Sequence, residues 1–539
     1  MKSSRQNDDS LLVSSPSPPG GLRPSTDLIR GPTYIPPSRS SSSSPPPMPL
    51  EPSAPQPKRF VRFDVDDELA GSAGSVGRDN DERWTYDEDF LNSSDDEDFA
   101  HAVEGGTAPL LTNIAAPSVV FAGLDTDDFE DPSSRSGMKM AFMNMANSII
   151  GAGIIGQPYA FKQAGLATGV ILLVVLTFLV DWTINLIVIN SKLSGANSFQ
   201  STVSACFGKW GLISISLAQW AFAFGGMIAF CIIIGDTIPH VLAALFPSLK
   251  DMSVLWLLTN RRAVIVLCVV GISYPLSLYR DIAKLAKASA LALVSMLVIV
   301  VTVITQGFFV ASELKGTLSG PLLTLNYGVF QAIGVISFAF VCHHNSLLIY
   351  GSLRKPTLDR FARVTHYSTG ISMVACMGMA FAGFLTFGDK TMGNVLNNFP
   401  NSNLMVNIAR FCFGLNMLTT LPLEAFVCRE VMLGYWYPGS PFDMSRHVIF
   451  TTGLIISALL VSLFTCDLGA VFELIGATSA CALAYILPPL CYIKLSTRSW
   501  RTALAWGCVG FGASVLLISL VQAVVKILEG NEKAVTCEW

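Results

Sequence analysis

The chain has 539 residues, 51% of them hydrophobic and 14% charged, with a formal net charge of −4. Soluble domains carry about 25% charged residues, whereas here apolar runs of about 20 residues, long enough to cross a bilayer, recur along the chain. A large soluble protein is thereby excluded, and because the acids cluster near the N-terminus while the apolar part is basic, there is no case for nucleic acid binding either.

Residues 1–135 are rich in Ser, Pro, Asp and Gly, as in SRSSSSSPPPMP and SSDDEDF. Such a segment buries too little apolar surface to offset the entropy of ordering, so the reading is a disordered cytosolic tail. It lacks a basic start followed by an apolar core, so no cleaved signal peptide is expected. Acids follow Ser93 and Ser94 three residues on, which suits an acidophilic kinase and a regulatory arm; a passive solvated tail is the alternative. Residues 136–530 form the membrane domain and 531–539 a short C-terminal tail. The 12 cysteines fall almost all inside apolar runs with no CxxC pair, which reads as thiols packed among helices.

Eleven spans are expected, at roughly 139–163, 166–191, 211–240, 262–279, 285–309, 326–350, 360–387, 403–433, 447–465, 469–493 and 502–527. With the N-terminus cytosolic, about fourteen Lys and Arg fall in the inner loops and about eight on the other side, which favours that orientation. Arg261 and Arg262 are the chief exceptions.

The first span contains NSIIGAGIIGQP at 147–158, three glycines and a proline at bilayer depth. Irregular backbone survives there only if protein buries it or it lines a wet cavity. The glycine spacing also serves plain helix packing. The sixth span, QAIGVISFAFVCHHNSLLIYGS, turns polar at Cys342–Ser346 and then resumes. The two spans hold the same place in two five-span halves, and paired interruptions of that kind point to a transporter binding site. An unwound turn frees N–H groups that attract a carboxylate and C=O groups that attract an ammonium or a cation.

NSIIGAGIIGQPYAFKQAG at 147–165 resembles the first-helix motif of the amino acid/auxin permease superfamily. SFAFVCHHNSLLIYGSL at 337–353 resembles the sixth-helix motif of its sodium-coupled neutral amino acid transporter branch and of fungal vacuolar amino acid transporters. The resemblance covers about 140–528. It implies an all-α membrane protein of the LeuT type, with a five-plus-five inverted repeat, broken helices 1 and 6 and an added helix 11. It further implies that the substrate carboxylate meets the N–H groups near Ile150, Gly151, Ala152 and Gly153. The amino group would meet carbonyls near Ser337, Phe338 and Phe340 and the side chain of Asn147, and Phe338, Phe340 and Val341 would wall the pocket. A side chain at Gly153 would then fill the carboxylate site.

For the coupling ion, LNMLTTLPLEAF in the eighth span offers Thr419 and Thr420 before a helix-breaking proline, and by resemblance Thr420 and Asn147 hold sodium. Thr420 could equally bond back to its own helix. The rival is a proton, with Asp181, Asp236, His240, His343, His344, Arg410, Glu424 and Glu473 as ionisable groups at membrane depth and His343, beside the break, the leading one. Asp236 and His240, one turn apart, could simply pair. No phosphate-binding loop or zinc spacing is present, so no enzyme, cofactor or metal centre is expected. The reading is a secondary active amino acid transporter coupled to H+ or Na+, working by alternating access in a vacuolar or other internal membrane. The alternative is a transporter-like sensor that signals through its tail.

Overall fold

The computed structural model describes residues 137–252, 255–279 and 289–528. The N-terminal segment with Ser93 and Ser94, and the C-terminal residues 531–539, lie outside them. Helices dominate the described residues, and eight are long and apolar enough to cross a membrane. Those eight are α2 (Leu166–Ser194), α3 (Phe199–Leu245), α6 (Val329–Ser352), α7 (Leu358–Lys390), α8 (Leu404–Trp436), α9 (Met444–Phe464), α10 (Leu468–Leu495) and α11 (Trp500–Gln522, helical to Leu528). The other three expected spans coincide with shorter or interrupted helices. The first is split into α1a (Met138–Ile150) and α1b (Gln157–Ala164). The fourth, α4, runs from Arg261 to Cys268 and continues through a wide turn to Ser277. The fifth, α5, is described as Ser289–Gly307.

One boundary differs markedly from expectation. The loop expected before the third span is largely helical, because α3 begins at Phe199 rather than near 211. Ser198 starts it with a reciprocal cap: its hydroxyl accepts the Ser201 N–H at 3.0 Å, and the Ser201 hydroxyl accepts the Ser198 N–H at 3.1 Å. The helix then kinks at Gly208, where φ of 62° is accessible to glycine but strained for other residues. Hydropathy alone hid this first stretch, since Phe207 and Trp210 are exposed and Lys209 reads as loop.

Spans at corresponding places in the two halves meet. α3 and α8 pack along their lengths, and the breaks of α1 and α6 face each other. Packing at these crossings is closed by glycine. A Cβ on Gly414 of α8 would stand 2.5 Å from Ile238 of α3, and one on Gly476 of α10 would fall on the backbone carbonyl of Gly334 in α6. α10 starts as an ordinary helix over Leu468–Ile475 and then widens into two π-helical turns, Gly476–Ala480 and Ala482–Ile486.

Most charges at depth have specific partners. Arg261 Nε donates to Asp236 Oδ1 at 3.3 Å, and Asn397 Nδ2 donates to Asp236 Oδ2 at 3.0 Å. The carboxylate of Asp236 is thus held by α4 and the 395–398 turn. This also explains one exception to the charge rule, since the buried Arg261 is neutralised inside the protein rather than left in a loop. Arg410 donates to the carbonyls of Leu396 and Phe399 at 2.8 and 2.9 Å and to Asn407 Oδ1 at 2.8 Å, tying that turn to α8.

Candidate functional site

α1a ends where Gly151 leaves helical geometry, at φ −31° and ψ −140°. A tight 3₁₀ turn, Ala152–Gly156, follows, and α1b restarts with Pro158 in its first turn, where a missing N–H does no harm. α6a (Val329–Phe340) ends at Val341, whose ψ of 103° is extended. After the turn His343–Asn345 the helix resumes as α6b, Ser346–Ser352. The two breaks touch. Asn345 Nδ2 reaches Ser148 Oγ at 3.5 Å. A Cβ on Gly153 would lie 2.4 Å from Ala339 Cβ, so the turn in α1 rests directly on α6a.

Between the breaks, α3 and α8 lies a cavity of about 280 Å³, room for roughly nine waters at about 30 Å³ each. One wall is Asn144, Asn147, Ser148, Gly151, Ala152 and Gly153 of the first span. Facing it are Phe338, Val341, His344 and Asn345 of the sixth. Phe222, Gly226 and Phe230 come from α3, and Asn416, Met417, Thr420, Glu424 and Phe426 from α8. Phe338 is fixed by stacking on Phe472 of α10 at 4.6 Å between ring centres, with Phe222 at 5.6 Å on the other side. Broken helix ends, amide side chains and aromatic walls together suit a small zwitterion: freed N–H groups for a carboxylate, freed carbonyls for an ammonium, rings for a side chain.

Of the residues expected at the substrate and ion sites, Asn147, Gly151, Ala152, Gly153, Phe338, Val341 and Thr420 line this cavity. Five do not. Ile150 is buried beside it in the core, and so is Phe340. Ser337 is buried with its hydroxyl 3.0 Å from the Tyr485 hydroxyl, and its carbonyl accepts the Val341 N–H. Thr419 points out of the bundle and donates to the Asn416 carbonyl at 2.9 Å. His343 is buried with Nε2 2.9 Å from Thr183 Oγ1 of α2, so the histidine on the cavity is its neighbour His344. The hydroxyl of Thr420 donates at 2.7 Å to the carbonyl of Asn416, one turn back in its own helix. A side chain at Gly153 would strike Ala339 rather than fill the carboxylate site.

Two of the other ionisable candidates are engaged elsewhere. Asp181 is held by His366 at 2.7 Å and Thr369 at 3.1 Å. Glu473 of α10 accepts from the Tyr159 hydroxyl at 2.9 Å and from Gln163 Nε2 at 3.4 Å, which ties α1b to α10. Glu424 is different: it faces the cavity, and its Oε2 is buried with no hydrogen-bond partner.

Residues 134–525 match the family model described as transmembrane amino acid transporter protein. Vacuolar amino acid transporter 2 of Saccharomyces cerevisiae is 43% identical over 422 residues, covering 76% of this chain and 88% of that protein. The Danio rerio protein named "Putative sodium-coupled neutral amino acid transporter 11" is 39% identical over 390 residues, covering 72% of this chain and 86% of its own length. Among solved structures, MhsT in complex with L-phenylalanine aligns with a TM-score of 0.49 at 13% identity, covering 71% of this chain and 98% of that one.

Proposed function

The chain belongs to the transmembrane amino acid transporter family, and from that premise we propose that it moves amino acids by cation-coupled alternating access. The observation that carries the mechanism is the meeting of two interrupted spans on one small, largely apolar cavity set with a few polar groups. The substrate carboxylate is placed at the N–H groups around Ala152 and Gly153, since that of Gly151 donates to the Asn147 carbonyl at 3.2 Å, and its amino group near Asn147 and the carbonyls that end α1a and α6a. Its side chain lies against Phe338 and Val341. Neither ligand nor ion needs to leave the protein's own polar groups while it crosses the hydrocarbon.

Turnover follows from the same geometry. The broken spans rock against α3 and α8 and open the cavity to each side in turn. The far half of the first span is clasped to α10 by the Tyr159–Glu473 bond, so the latch on that side must part before the cavity opens there. We place the protein in a vacuolar or other internal membrane with the N-terminus in the cytosol. The likeness to a vacuolar transporter and the distribution of basic loops support this.

The test is flux. Purified protein in proteoliposomes, loaded with a panel of unlabelled amino acids, should exchange at least one labelled amino acid and accumulate it under an imposed pH or sodium gradient. Saturable binding without any flux would overturn the transporter reading in favour of a sensor.

A further inference from the structure

Resting on that reading, we propose that Glu424 is the group that takes up and releases the coupling cation, and that the cation is a proton. Glu424 lies one helical turn after Thr420 in α8 and lines the cavity between the two breaks. Its Oε2 is shut away from water and has no hydrogen-bond partner. An ionised carboxylate in such a place is strongly disfavoured unless a cation joins it.

The surroundings say which cation. α3 faces Glu424 with Gly226; a Cβ there would stand 3.7 and 3.8 Å from Glu424 Cγ and Cδ. The break of α6 brings His344, whose Nδ1 is also buried without a partner, and α1a brings the neutral Asn144 and Asn147. On α8 itself Cys428 is one turn on, while Arg429 turns its guanidinium to the Ser277 carbonyl at 3.1 Å and the Thr451 hydroxyl at 2.8 Å. Arg261 is already committed to Asp236. No basic group among these meets Glu424 as a permanent counter-ion. A metal cation gathers several oxygens round itself, whereas Oε2 has no hydrogen-bonding group of the described residues beside it. A proton needs no space. In the arrangement seen here the carboxyl is therefore held as the neutral acid. When the broken spans rock and water reaches it, the proton leaves from an oxygen of Glu424 to that water, and the carboxylate waits to be reprotonated from the other side. Thr420, one turn before Glu424, donates its hydroxyl to its own helix and lines the same cavity.

The experiment uses full-length protein in proteoliposomes and an amino acid that the wild type exchanges. Two variants, Glu424→Gln and Glu424→Asp, are compared with the wild type. The wild type is expected to accumulate substrate when a pH gradient is imposed without sodium. Glu424→Gln should lose that accumulation, and whatever exchange it keeps should no longer vary with pH; Glu424→Asp should restore both. In detergent, substrate addition should change proton binding in the wild type, read with an indicator dye, and leave it unchanged in Glu424→Gln. This second reading stands even if the Gln variant does not transport. The proposal falls if Glu424→Gln still concentrates substrate on a pH gradient, if its dye signal matches the wild type, or if wild-type accumulation follows a sodium gradient at equal pH. If the wild type exchanges no amino acid at all, the transporter reading fails instead.

Discussion

Gly153 offers the sharpest mechanical test, because the structure says how little room it has. A Cβ there would lie 2.4 Å from Ala339 Cβ, 2.5 Å from its Cα and 3.1 Å from its N. Carbon atoms in contact rest at about 3.5–4.0 Å, so Gly153→Ala falls short of clearance by about 1.1 Å. The atoms it meets belong to the backbone of α6a or are fixed to it, and no rotamer change relieves them. The turn of α1 and the end of α6a must separate, at the cavity. Overpacking of this kind costs about 1–3 kcal/mol, and the rigid neighbours put Gly153→Ala near the upper end. At about 1.36 kcal/mol per tenfold, roughly 3 kcal/mol removes about two decades of transport if the strain falls on the working state. The assay is uptake of labelled amino acid in proteoliposomes beside a thermal melt in detergent. The control is Gly370→Ala in α7, where nothing lies within 4 Å of the added carbon. That change should keep transport and add up to about 1 kcal/mol of helix stability. If Gly153→Ala matched Gly370→Ala in both measurements, the direct contact of the two breaks would be refuted.

Arg261→Met should lower the thermal melt sharply, by the equivalent of about 3–5 kcal/mol, since it strands the buried Asp236 carboxylate; adding Asp236→Leu should recover most of the loss, and a double variant no better than the single one would count against the pairing. Tyr159→Phe removes the 2.9 Å bond to Glu473, an interaction worth about 1.5–3 kcal/mol for a charged acceptor, and should raise the labelling of a cysteine placed on α1b by an impermeant thiol reagent. Ser198→Ala should cost about 1 kcal/mol in the melt through loss of the α3 cap, with no change in apparent substrate affinity in uptake assays.

Much of this design is legible in the chain because clustered glycines beside a proline, and a polar run inside an apolar one, interrupt the spans that hold the breaks. The runs at 147–158 and 342–346 mark both breaks without any coordinates. What the chain does not reveal is helix phase. Adjacent residues on a helix point about 100° apart, so His343 and His344, or Thr419 and Thr420, are indistinguishable until the axis orientation is known. The structure sends His343 to Thr183 and His344 to the cavity, Thr419 outward and Thr420 inward. Phe340 is lost to the core for the same reason, while Phe338, two residues earlier, faces the pocket. Glu424 was visible as one acid among several; only the pairing of Asp181, Asp236 and Glu473 with partners distant in sequence isolates it. The first stretch of α3 was missed because a capped, half-exposed helix looks like a loop to a hydropathy count.

The glycine seam between α6a and α10 has a consequence for the shape of α10. With Gly476 against the Gly334 carbonyl, the helix lies backbone to backbone on α6a. The far end of the same helix is anchored differently, by Asn190 of α2 donating to the Pro488 carbonyl at 2.8 Å and by Phe511 of α11 against Tyr485. The two wide turns at 476–480 and 482–486 themselves carry Gly476 and Tyr485. Both turns are therefore hemmed to the sixth span, the first by Gly476 and the second by Tyr485, whose hydroxyl lies 3.0 Å from that of Ser337.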